Sequence, residues 1–138
     1  MTRKDIHKLD KYWADTVKSV AEWCCAYCHA PAESKRLEAA HVVGRRHRFT
    51  RWGCEVDGKY DLCGHALCHS CHQQYDEHGP QEQWIILNVI GTERKENLQF
   101  LATTNIARYQ DYDEIRKRIQ EVRDEFEAQS VGEVKQKP

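Results

Sequence analysis

The chain has 138 residues, of which 31% are charged and 40% hydrophobic, with a net charge of -1. That composition excludes a disordered or fibrous segment and fits a single globular domain. No apolar run is long enough to span a bilayer, and near-neutral charge excludes nucleic-acid binding by bulk electrostatics, so any such contact must come from a local patch.

In chain order, Ile6, Leu9, Trp13, Val17, Val20 and Cys24 recur at three- and four-residue steps and predict an amphipathic helix over residues 5–24. The charged start lacks the apolar core of a secretory signal, and a cytoplasmic protein is expected. The centre, residues 25–79, is rich in cysteine and histidine. Leu37 to Val43 reads as a strand ended by Gly44, and Arg45 to Lys59 as a basic, turn-rich loop. Tyr60 to Leu67 reads as a second strand antiparallel to the first, and Cys71 to Glu77 as a short helix stopped by Gly79-Pro80. Residues 80–129 are expected to be helical: Pro80 opens a helix that Gly91 closes, and Glu93 to Arg108 forms the next. Asp111 and Glu114 stand at capping-box spacing before a last helix bearing Ile115, Ile119, Val122 and Phe126 on one face. Residues 130–138 read as a polar, frayed tail. The sum is one α+β domain whose flanking helices pack on the centre, with a homodimer through their stripes as the alternative.

All seven cysteines lie between Cys24 and Cys71, and seven of the eight histidines between His29 and His78. Cys25-x-x-Cys28 and Cys68-x-x-Cys71 are two knuckles, together the four thiolates of a closed tetrahedral zinc site. Such a site has no open position, so the Zn²⁺ is structural and contributes to folding. Cys24 falls on the helix face and Cys54 in a loop. Between Lys35 and Trp52 the bases Lys35, Arg36, Arg45, Arg46, Arg48 and Arg51 face the single acid Glu38. Arg45, Arg46, Arg48 and Arg51 are the candidate phosphate contacts.

The run Leu37-Glu38-Ala39-Ala40-His41, the paired knuckles and Cys71-His72 resemble the HNH endonucleases, specifically the phage and bacterial branch with a four-cysteine zinc. The likeness covers about residues 24 to 79. It implies a zinc-stapled ββα-metal (His-Me finger) core and hydrolysis of DNA phosphodiester bonds with a divalent cation such as Mg²⁺. By the same resemblance His41 is the general base, His72 a ligand of the catalytic metal, and Asp76, one helical turn on, a second ligand. Two positions depart from the pattern: Ala40 stands where many members carry a metal-binding Asp or His, and Cys63 where they carry asparagine. A thiol there favours softer metals (Mn²⁺, Ni²⁺, Zn²⁺) or an inactive site. The rival reading is a non-catalytic zinc module that binds nucleic acid or a protein partner through its basic loop. A third is a redox-responsive zinc protein sensing through Cys54 and Cys63.

Overall fold

Thr2 and Asp5 cap the first helix, α1 (Arg3–Val20), reciprocally: Asp5 N–H donates to Thr2 Oγ1 at 3.1 Å and Thr2 N–H to Asp5 Oδ2 at 3.0 Å. The expected stripe is buried at Leu9, Trp13 and Val17. The helix stops short of Cys24 because Glu22 and Trp23 both take left-handed backbone (φ 55° and 58°), which turns the chain into the first cysteine knuckle. Cys24 therefore leaves the helix face and bridges to Pro31.

The computed structural model describes the backbone of residues 1–107 and 109–136 and the side chains through residue 129. Four short strands follow α1: β1 (Leu37–His41), β2 (Cys54–Val56), β3 (Lys59–Asp61) and β4 (Gly64–Cys68). β1 pairs antiparallel with β4, His41 opposite Gly64 and Leu37 opposite Cys68. The expected strand from Tyr60 to Leu67 is split in two. Its first part, β3, pairs with β2 inside the stretch expected to be loop, and only β4 pairs with β1. The break is Cys63, which is left-handed at φ 57°. Its N–H donates to Asp61 Oδ1 at 2.7 Å, and its carbonyl accepts from Val42 N–H at 2.9 Å.

Helix α2 (His69–Asp76) leaves β4 directly, with Cys68 as its N-cap residue. α3 (Glu82–Ile85) runs into a π-helical turn, Ile86–Ile90, before Gly91 (φ 89°) and α4 (Thr92–Thr104). The expected end of α4, Arg108, lies outside the described residues, as do Lys137 and Pro138. α5 (Tyr112–Gln136) continues through the stretch expected to be a frayed tail. Its start carries an Asp111 turn, with Asp113 N–H donating to Asp111 Oδ1 at 2.9 Å. Among the described residues no helix is long and apolar enough to cross a membrane.

Alternation along β1 and β4 gives this two-stranded sheet two covered faces. On one, Ala66 packs with Leu9, Trp13 and Val17 of α1, Ile119 of α5, Trp52 and Leu62. On the other, Ala40 and Leu67 pack with Tyr75, Ile85, Ile90 and Leu98 from α2, α3, the π turn and α4. The apolar stripes of α1 and α5 thus cover each other and the sheet. Gly64 is where helix and sheet come closest: a Cβ there would overlap Trp13 Cζ2 and lie 2.8 Å from its Cη2. Trp13 is 2% exposed and its Nε1–H donates to Leu62 O at 2.8 Å, so it has nowhere to go. Gly64→Ala should cost about 1–3 kcal/mol through overpacking, read as a lowered urea midpoint at unchanged slope. An unaltered midpoint would show that the α1–β4 contact is looser than described.

Candidate functional site

Two constellations occupy the cysteine- and histidine-rich centre. The first is the set of four thiols. The knuckle at Cys25 is closed by Cys25 N–H to Ala30 O (2.9 Å) and His29 N–H to Cys25 O (2.9 Å), with His29 left-handed at φ 65°. Ala26 N–H donates to Ala66 O at 2.8 Å and ties this knuckle to β4, whose last residue, Cys68, starts the second. The four Sγ atoms of Cys25, Cys28, Cys68 and Cys71 all lie within 4.8 Å of one another and could hold a metal ion. Ligands about 2.3 Å from a tetrahedrally bound zinc stand roughly 3.8 Å apart; Cys28 Sγ and Cys68 Sγ are 3.8 Å apart. The donor set and spacing are consistent with structural zinc. Ionisation is uneven among the thiols. Burial opposes it at Cys25, yet backbone N–H groups around its sulfur bring the pKa down to about 7. Burial and the neighbouring sulfurs push Cys28 and Cys71 upward. Thiolates this close repel, and only a cation among them lets all four ionise together.

The second constellation is an open cleft of about 670 Å³. His41 at the end of β1 and His72 on α2 both line it, as do Asp76, Arg45, Arg46, His47, Tyr75, Lys95 and Gln99. β1 and α2 converge there because β4 pairs with β1 and passes straight into α2. Both expected histidines thus line one cleft. His41 is held from behind by Trp13, ring on ring at 4.2 Å between centroids and 17° between planes. Its Nε2 is buried with no hydrogen-bond partner. Burial is the main cause of a pKa lowered to about 4; the Asp10 carboxylate and the Arg51 backbone oppose it, and the Arg51 and Arg45 cations assist. The imidazole is therefore neutral at physiological pH.

His72 is gripped on both nitrogens: Nδ1 lies 3.0 Å from Glu38 Oε1 and Nε2 2.9 Å from Asp76 Oδ2. Glu38 also meets His69 and Arg36. Burial works against ionisation of Glu38, but these hydrogen bonds hold its carboxyl below the usual range. A carboxylate behind one nitrogen fixes the tautomer and leaves the other as donor to a metal, the arrangement in which histidine ligands are usually set. Among the described residues, the four cysteines are the only group of three or more potential ligands whose donor atoms converge. In the cleft, His72 and Asp76 supply at most two protein ligands. A hard divalent cation accepts this, since it commonly completes its shell with water and phosphate oxygens.

The four arginines part company. Arg45 and Arg46 are exposed and line the cleft. Arg51 donates to Asp10 through Nε (3.0 Å) and Nη2 (2.7 Å), while Trp52 Nε1–H reaches the same carboxylate at 2.8 Å. Arg48 stacks over Trp52 and contacts Gln110. Neither Arg48 nor Arg51 is among the residues lining the cleft. The two departures from the family pattern also turn away from it. Ala40 is buried in the core, and the Cys63 thiol is buried 3.7 Å from Cys54 Sγ. Position 63 nevertheless keeps a backbone conformation that asparagine adopts more readily than cysteine.

Glu38, Asp10, Trp13 and Lys95 went unassigned in the sequence as parts of the site. Glu38 shares a strand face with Ala40, two residues on, which is the signal that could have found it. Asp10 and Lys95 come from distant helices and carry no local signal. No family model, curated protein or solved structure matches this chain.

Proposed function

We propose that the protein is a divalent-metal-dependent endonuclease of the HNH type that hydrolyses DNA phosphodiester bonds, its core a ββα-metal unit made of β1, β4 and α2. The reading rests on one observation: His41 and His72, from strand and helix, line the same cleft. His41 is neutral and its Nε2 has no partner; that nitrogen is buried, so water must first be admitted to it from the cleft. It can then take the proton of a water whose oxygen attacks phosphorus as the bond to the leaving strand end breaks. Glu38 holds the ring of His72, and Asp76 lies at its other nitrogen. A divalent cation bound at His72 and Asp76 would polarise the scissile phosphate and stabilise the departing oxygen. Arg45 and Arg46 are exposed at the rim, Arg46 hydrogen-bonded among the described residues only to the neighbouring His47, and meet neighbouring phosphates; Arg51 is held by Asp10 and serves the fold.

The test is incubation of supercoiled plasmid with the zinc-loaded protein and Mg²⁺, Mn²⁺, Ni²⁺ or no added metal, read as nicked and linear product on a gel. Cutting with at least one added cation and none without it is expected. No cutting with any of them, alongside tight plasmid binding, would favour the nucleic-acid-binding module instead.

A further inference from the structure

Within that reading, we infer that Lys95 of α4 is the cleft's own phosphodiester ligand, placed beside the scissile group by Tyr75. Lys95 lines the same cleft as His41 and His72, although it lies far from both in the chain. Its Nζ donates to Tyr75 Oη at 2.7 Å and sits 4.6 Å from the centre of the Tyr75 ring. Tyr75 Oη in turn donates to Val42 O at 2.6 Å, the carbonyl next along from His41. A buried tyrosine thus fixes the ammonium relative to the strand that carries the general base.

The charge balance of the cleft says what this cation is for. The two carboxylates lining it are both engaged by imidazoles, Asp76 by His72 and Glu82 by His78. Other cations near the sheet have acids of their own: Arg36 has Glu38, Arg51 has Asp10 and Arg94 has Asp61. Among the described residues no carboxylate lies within ion-pair distance of Lys95. Lys95 is partly buried at the wall of the cleft and its charge is left without a counter-ion there, so an anion entering the cleft would meet an uncompensated positive charge. One of its three N–H groups is used on Tyr75, so two remain for non-bridging phosphate oxygens. The cleft lined by the two histidines presents this cation to an entering anion, and a phosphodiester is an anion that also meets Arg45 and Arg46 at the rim.

The experiment is fluorescence anisotropy of a labelled duplex oligonucleotide with the zinc-loaded protein and no other divalent cation, repeated over a range of salt. Lys95→Met should weaken binding severalfold and reduce the slope of log K against log salt by about 1, with Lys95→Arg restoring the slope. Tyr75→Phe keeps the ring but loses the hydroxyl, and should weaken binding less than Lys95→Met. Because the readout is binding, failure of the nuclease reading (no cutting by the parent) leaves this result interpretable. An unchanged salt slope in a Lys95→Met protein with native circular dichroism would overturn the assignment. So would equal affinity for a mononucleotide and the duplex with the same loss in the variant, which would make the site one for small phosphates.

Discussion

Stripped of metal, or carrying Cys68→Ser, the protein should lose its cooperative fold. Cys25 and Cys68 are each 1% exposed and belong to the same buried cluster as Ala40, Val42, Leu67 and Tyr75, so the knuckles and the core are one structure. Cys68 is also the residue where β4 passes into α2, which carries His72. Structural zinc contributes roughly 10–16 kcal/mol of apparent binding free energy in small domains, as large as or larger than the roughly 5–15 kcal/mol net stability of a typical protein. Without it, thiols crowded within 4.8 Å are left as neutral or partly ionised groups in a core too interrupted by loops to close alone. One zinc per chain by elemental analysis, retained in mild chelator, is expected for the parent. Cys68→Ser should show little zinc and no sigmoidal urea transition. A metal-free protein with native circular dichroism and a normal melting temperature would refute the staple.

His41→Ala should abolish cutting while leaving the fold standing. Loss of a general base typically costs about 10²–10⁴ in rate. Stability should fall by about 1–3 kcal/mol, because the stacking on Trp13 and the contact with the Arg51 backbone are lost and a small cavity is left, while the removal of an Nε2 already buried without a partner offsets part of that cost. The pH dependence gives a sharper signature. Folding lowers the His41 pKa from 6.5 to about 4, so the base form persists as pH falls from neutral. Cutting should stay level down to roughly pH 5 and fall only as the imidazole protonates near pH 4, whereas an unperturbed histidine would already be half protonated near pH 6.5. The same depression means that the folded state binds fewer protons than the unfolded chain between these values, so His41 withdraws stability as pH drops through that window. Equal cutting by parent and His41→Ala would remove this residue from the mechanism. A His41 ring whose NMR signals titrate near pH 6.5 would show that it is not buried as described; a rate profile alone would not, because the proposed metal ligand His72 must also be deprotonated.

The local grammar of the chain was enough for a good part of this. The apolar stripe from Ile6 to Val20 declares a helix, and the two CxxC spacings declare a tetrahedral sulfur site, because both depend only on residues a few positions apart, whereas the Thr2–Asp5 cap emerged only in the structure. The strand from Leu37 and a short helix at Cys71–Glu77 were legible for the same reason, although the helix in fact begins two residues earlier, at His69. What local spacing could not carry was partnership. Tyr60 to Leu67 looks like one strand by side-chain pattern, yet Cys63 takes a left-handed turn and its halves join different neighbours. The arginines of 45–51 form one basic run in sequence, yet Arg51 is drawn to Asp10 of α1 while Arg45 and Arg46 stay at the cleft. Composition and spacing determined the α+β class and the four sulfurs, and the family resemblance singled out the two histidines. Only tertiary packing decided which charges are cancelled and which remain available, since ion pairing depends on distance in space between side chains that lie far apart in the chain.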